Sequence, residues 1–195
     1  MIKLMTTIVL VLLLPLVSYA GVPMDTVKTG VNKVLSVAGD PALKDEAAKK
    51  SKEEKIRAII GEFFDFSVLS RLTLGKNWKE FKPDQQKEFV GLYRTLLEDV
   101  YLGRILEYSD EKVEFAKETM LSETKAEIHT KILAKSAEIP INYRMVLQNG
   151  EWKVYDVIIE GVSMVKNYRS QFQQLLAKGS PADLLKTLRE KVNKA

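Results

Sequence analysis

Few residues in this chain could do covalent chemistry. The single histidine, His129, sits between Glu127 and Lys131 in a segment of alternating polarity, so neither a histidine metal cluster nor a Ser-His-Asp triad can be assembled from it. Ser163, in Gly161-Val162-Ser163-Met164-Val165, is half of a nucleophile elbow without its second glycine or a base. A helix N-cap explains that serine better. Asp156 and Glu160 could in principle act as an acid and base pair, but 26 acidic residues place many such pairs by chance. No glycine-rich phosphate loop is present. No catalytic residue, metal site or cofactor is expected.

What the chain has instead is large apolar and aromatic groups: Phe63, Phe64, Phe89, Tyr93, Tyr101, Tyr143, Met145, Tyr155, Met164, Tyr168 and Phe172. For any one of them a packed core is the plain account. A buried tyrosine hydroxyl needs a partner, however, and several in one interior suggest a rim or a wet cavity. On residues alone, a binder of lipid, hydrophobe or peptide and a purely structural domain both remain open.

These side chains need elements to hold them. Met24, Val27, Val31, Val34, Leu35 and Ala38 recur at helical spacing until Gly39-Asp40-Pro41 breaks the pattern. A second helix runs through the alternating charges of Lys44 to Lys55 to the stripe Ile56, Ile59, Ile60, Phe63, and Asp65 is placed to cap a short third helix ending at Gly75. Pro83 opens a fourth, whose apolar face predicts about 25 residues and nearly 40 Å of length. From Lys112 the period becomes two. Val113 and Phe115 alternate with charges, Ala126, Ile128, Thr130 and Ile132 share a face, and Ile139, Ile141, Tyr143, Met145 and Leu147 follow suit. Asn149-Gly150 is a two-residue hairpin signal. At least four antiparallel strands and two closing helices result, an α+β domain with helices layered on one sheet face.

The chain opens MIKLMTTIVLVLLLPLVSYA, with one lysine before an apolar run of 14 residues from Leu4 to Val17 and small residues at Ser18 and Ala20. That is the pattern of a cleaved secretory signal over residues 1–20; a membrane anchor needs roughly 20 apolar residues. Residues 21–195 suit one domain burying roughly 70% of its unfolded surface. There is no cysteine, so neither a thioether-linked lipid nor a disulfide is available and stability must come from packing. Net charge is +4 with both signs interspersed. No basic stripe with stacking aromatics exists, so no nucleic-acid partner is expected.

Several strings together resemble the MlaC family of periplasmic phospholipid-binding proteins, also called the toluene-tolerance auxiliary family. They are Asp65-Phe66, L-G-x-x-W from Leu74 to Trp78, Q-Q-x-x-F from Gln85 to Phe89, D-V-x-x-E-G-V-S from Asp156 to Ser163, and N-Y-R-x-Q-F from Asn167 to Phe172. The resemblance spans essentially the whole chain after the leader, with one departure: Lys82 stands where a hydroxyl cap is expected before Pro83.

The resemblance implies an antiparallel four- to five-stranded NTF2-like sheet covered by helices, with an apolar cavity between them that takes the acyl chains of a glycerophospholipid. The lining it implies comes from Phe63, Phe64, Leu69 and Leu72; from Phe89, Leu92, Tyr93, Leu96, Val100 and Tyr101 of the long helix; from Ile128, Tyr143, Met145, Val157 and Ile159 of the strands; and from Val162, Met164, Val165, Tyr168 and Phe172 after them. Lys166 or Arg169 is expected near the mouth, against the lipid phosphate or an acidic docking surface. The competing expectation gives Arg169 a structural hydrogen bond to Asp156 or Asp65. Implied partners are an inner-membrane ABC transporter with an MCE-domain subunit and an outer-membrane lipoprotein-porin complex. The chain is expected to be a periplasmic monomer serving outer-membrane lipid asymmetry; the alternative is a secreted adaptor domain with a filled core.

Overall fold

The computed structural model describes residues 23–43, 45–107, 112–134 and 137–193. The leader at 1–20 lies outside the described residues. Helices α1 (Pro23–Ala38), α2 (Glu46–Phe63), α3 (Phe66–Leu74) and α4 (Pro83–Leu106) precede strands β1 (Lys112–Ser122), β2 (Lys125–Leu133), β3 (Glu138–Gln148), β4 (Glu151–Ile159) and β5 (Val162–Ser163); α5 (Met164–Leu176) and α6 (Pro181–Val192) follow. The strands pair in sequence order, each antiparallel to the next, in one open five-stranded sheet.

Local chemistry sets the boundaries. Asp65 caps α3 by accepting the Val68 N–H at 2.8 Å. At the start of α4 the Gln85 side chain accepts the Lys82 N–H at 3.0 Å, which satisfies one group at the end where Lys82 itself supplies no cap. Asn149 and Gly150 turn β3 into β4 with φ of 52° and 82°, the left-handed pair that matches strand twist in a two-residue hairpin. Glu160 and Gly161 repeat that geometry at 49° and 82°. Gly161 turns β4 sharply into a second hairpin, which adds β5 before α5 begins.

The helices lie over one face of the sheet. Met24 at the head of α1 donates its N–H to Glu118 Oε2 of β1 at 2.8 Å. A Cβ on Gly30 would stand 2.7 Å from the Phe63 ring, so glycine permits the close approach of α1 and α2. The buried side chains form one continuous core. Its sheet lobe, under α1 and α2, holds Val27, Phe63, Ala126, Ile128, Met145 and Val154; its helical lobe, among α3 to α6, holds Phe81, Phe89, Tyr93, Tyr168, Phe172 and Leu185. The main packing partners of α4 are α6, α3 and α2, and none of its extensive contacts is with a strand.

Candidate functional site

Strand register sorts the helix-facing side of the sheet into rows. Met120, Ala126, Met145 and Val154 form the row nearest the β3–β4 hairpin, and Glu118, Ile128, Tyr143 and Val157 the next. Phe115, Thr130, Ile141, Ile159 and Val162 then make a row across all five strands, and Val113, Ile132 and Ile139 a last, shorter one. On β2, β3 and β4 burial falls along this series, while Met120 on the edge strand β1 is 49% exposed. Ala126, Ile128, Met145 and Val154 offer no surface at all (0%), whereas Phe115, Tyr143, Ile141, Ile159, Val113, Ile132 and Ile139 are only half-buried. These side chains are on the sheet face shared with the buried Ile128 and Met145 and keep part of their surface. Leaving one such Ile or Phe side chain fully exposed forgoes about 1.5–3 kcal/mol of burial, which an apolar ligand would recover.

The row ends at Val162, which is 59% exposed and so stands at the rim instead of inside the lining. Val100 was also expected in the lining. It is 45% exposed, one turn beyond the buried Leu96, on the outer side of α4 from the buried Leu102.

Other expected lining residues belong to a filled core. Leu69, Phe89, Tyr93, Ile128 and Met145 have no exposed surface, so they border no open space. The Phe89 ring lies 5.5 Å from Tyr93 and 5.6 Å from Phe172, and Tyr93 lies 5.3 Å from both Tyr168 and Phe172. These edge-on and tilted contacts close the helical lobe. The Tyr93 hydroxyl accepts from Thr73 Oγ1 at 3.4 Å, and burial pushes its pKa far above the usual tyrosine value. Burial likewise raises Tyr101 and Tyr168. Phe63, Leu96, Val157, Met164 and Val165 are buried as well, while Phe64, Leu72, Leu92 and Tyr101 are half-buried against the core.

Two clefts, of about 350 and 470 Å³, flank the β3–β4 hairpin at the opposite end. Their walls mix Phe63, Phe64 and Trp152 with Asp25, Lys33, Glu62 and Lys153. Charged groups in both walls distinguish them from the rows of the sheet.

Arg169 donates Nε to the Leu72 carbonyl at 3.1 Å, and Nη2 to the same oxygen. Neither expected carboxylate is its partner: Asp65 caps α3, and Asp156 is committed elsewhere. Asp156, 2% exposed, accepts from Ser163 Oγ at 2.6 Å and from the Val165 N–H at 3.0 Å, with Arg144 Nη1 at 3.7 Å. Ser163 Oγ in turn accepts the Lys166 N–H at 3.1 Å, so this serine is a helix cap. Lys166 itself is exposed on the first turn of α5. His129 lies on the other sheet face, 3.6 Å from Glu127. No metal-holding group of His, Cys, Asp or Glu occurs among the described residues.

Comparison with known families places residues 28–190 under a single description, MlaC protein. The chain belongs to the MlaC family. It is 25% identical over 147 residues to the intermembrane phospholipid transport system binding protein MlaC of Haemophilus influenzae, covering 69% of each chain. It is 25% identical over 187 residues to the toluene tolerance protein ttg2D of Pseudomonas putida, covering 93% of this chain and 85% of that one. The fold matches a phospholipid-binding protein from Ralstonia solanacearum, solved in complex with a phospholipid, with a TM-score of 0.78 and 23% identity over 88% of this chain and 97% of the other. In this MlaC-family chain the recognisable strings are largely scaffold. Asp65, Gln85, Asp156 and Ser163 satisfy helix ends, and Arg169 ties α5 to α3. Phe115 and Ile141, which the expected lining did not include, share the row of Ile159, and their alternation with charged and polar neighbours was the signal for that face.

Proposed function

We propose that this chain is a periplasmic phospholipid carrier that holds acyl chains against the half-buried rows of its sheet, beneath α4. The observation that carries the reading is the row from Phe115 through Ile141 and Ile159 to Val162, apolar except for Thr130, turned toward the helices and left uncovered at one end. Thr130 does not spoil it, because its Oγ1 donates to the Ile141 carbonyl at 2.7 Å. The names of the relatives and the lipid-bound structure of the fold neighbour support the same ligand class.

The energetics fit a shuttle. Two acyl chains of about 15 methylenes each cost roughly 24 kcal/mol to hold in water, at ~0.8 kcal/mol per methylene. Transfer from bilayer to apolar pocket is close to neutral by comparison, so a carrier needs shelter more than tight specific contacts. The headgroup remains at the rim, where Lys166 is the exposed cation and Arg169 is already occupied by Leu72. The carrier works as a monomer after its leader is removed, between an outer-membrane lipoprotein-porin complex and an inner-membrane ABC transporter with an MCE-domain subunit, in maintenance of lipid asymmetry. No chemical step enters this reading. Among the described residues no helix is long and apolar enough to cross a membrane.

Native mass spectrometry of the protein purified from a periplasmic extract tests the proposal. The expected result is an adduct of phospholipid mass that lipid extraction removes. Protein that never carries lipid, even after incubation with phospholipid vesicles, would mark an adaptor with a closed core; lyso-lipid or fatty acid would mark a hydrolase.

A further inference from the structure

Two tyrosines of the helical lobe carry hydroxyls that its packing does not use. The Tyr93 hydroxyl is held by Thr73 Oγ1 at 3.4 Å. Tyr168, whose ring stands 5.3 Å from that of Tyr93, is only 8% exposed, and Tyr101 is half-buried about two turns further along α4. Among the described residues neither of these two hydroxyls has a hydrogen-bond partner. Neither is sealed, because the buried side-chain oxygens left without partners are Ser70 Oγ and Thr119 Oγ1. Each tyrosine therefore buries a ring and keeps its donor at an open edge.

The two donors share one recess. After burial itself, Tyr168, Asp156 and Tyr101 are what keep Tyr93 protonated, and Tyr101 does the same for Tyr168, so the polar ends of these groups stand within electrostatic reach of one another. Asp156 fixes the place in the fold. It lies three residues before Ile159 on β4 and holds the start of α5 through Ser163 and the Val165 N–H, while Ile159 pairs with Val162. Tyr168 is four residues on from Met164, the first of α5, or about 6 Å along the helix axis. The recess thus stands beside the end of the row that Val162 closes.

Donors beyond an apolar row call for a ligand whose apolar part ends in acceptors. A diacyl glycerolipid has two ester carbonyls, acceptors only, between its tails and its phosphate. The Asp156 carboxylate disfavours an anion in the recess but not a neutral carbonyl. The phosphate fits farther out, where Lys166 and Arg104 are exposed, Arg104 beside Tyr101. Tyr155 gives the contrast: after burial, its surroundings are set by Arg144, Asp156 and Glu127, a charged setting on the ion-paired ladder of the sheet.

We propose that Tyr168 and Tyr101 donate hydrogen bonds to the ester carbonyls of a bound diacyl lipid, so that the site selects an ester-linked glycerolipid at its glycerol backbone. This rests on the carrier reading and names the part of the ligand that is recognised. A site built to hydrogen-bond a group discriminates against the analogue that lacks it, because its own polar atoms are then left unpaired.

The test uses the whole chain without its leader, mixed with vesicles carrying a pyrene-labelled phosphatidylglycerol. The probe is either the diester or its diether analogue, which keeps the phosphate and lacks the carbonyls. The parent is expected to take up the diester in preference, by about three- to ten-fold for each hydroxyl that bonds. Tyr168→Phe and Tyr101→Phe, which keep their rings, should each erase one such factor. Circular dichroism melting checks folding; should Tyr168→Phe not fold, the half-buried Tyr101→Phe decides alone. If the parent loads both lipids equally, or the variants keep its preference, the hydroxyls do not read the ester and the carrier reading stands. If the parent loads neither lipid, both fall.

Discussion

Arg169 of α5 is bound through its guanidinium to the carbonyl of Leu72 near the end of α3, with Nε at 3.1 Å. The cation lies where the last carbonyls of α3 lack helical partners and where the helix dipole favours positive charge. Arg169→Met, which keeps the stem and removes the donors, is expected to cost about 1.5–3 kcal/mol in urea unfolding. Lys166→Glu, on the exposed side of the same helix, should change stability by no more than about 0.5 kcal/mol while weakening uptake from anionic vesicles. Equal destabilisation by the two would remove the distinction drawn between them.

Asp156 makes a comparable prediction at the other end of α5. Its carboxylate serves Ser163 and the Val165 N–H and faces Arg144. Asp156→Ala leaves these groups unpaired in a buried place, and the loss should be about 3 kcal/mol or more. Denaturant midpoints of Asp156→Ala and Ser163→Ala, compared with the double variant, would show the two effects to be non-additive, because both act through the same cap.

Position along the rows of the sheet decides what a charge does. Ile128→Asp buries a carboxylate at a site with no exposure (0%) and should cost more than about 4 kcal/mol. Ile141→Asp, one row along on the neighbouring strand and half-buried, should cost only about 1 kcal/mol yet abolish lipid co-purification. Circular dichroism melting with lipid extraction separates the two. A stable Ile141→Asp variant that still carries lipid would place the acyl chains elsewhere.

Acid should loosen the start of α6. The Ser180 N–H, at 2.8 Å, and then its hydroxyl, at 2.7 Å, hold Asp183 below the usual aspartate range. The folded value is depressed, so the contribution of this cap is present above the ordinary pKa of about 3.9 and is lost as pH falls through the folded value. Backbone chemical shifts of Ser180 to Leu184, followed through acid titration, should report fraying of the first turn. In Asp183→Asn that pH dependence should vanish.

Much of the scaffold was legible in the sequence because it is local. Asp65, Pro83, Asn149-Gly150 and Ser163 act on neighbours within a few residues, and each takes the predicted role. The extra hairpin at Glu160-Gly161 was not, since a glutamate with positive φ follows no common turn preference. The Arg169 partner was missed for a different reason. Sequence suggests carboxylates to pair with a cation, but the oxygen it meets is a backbone carbonyl 97 residues away in the chain. The candidate site depends on pairing between strands, which no local signal reports. Aromatic content pointed to Phe89, Tyr93 and Phe172, which fill the helical lobe, whereas the unfilled rows are mostly aliphatic and become visible only once register aligns Phe115, Ile141 and Ile159.

The ring lobe built on Tyr93 is complete in itself and borrows nothing from whatever lies on the sheet. It acts as ballast. A chain so weighted stays upright whether the sheet is bare or covered, and offers proteases no unfolded segment in either condition.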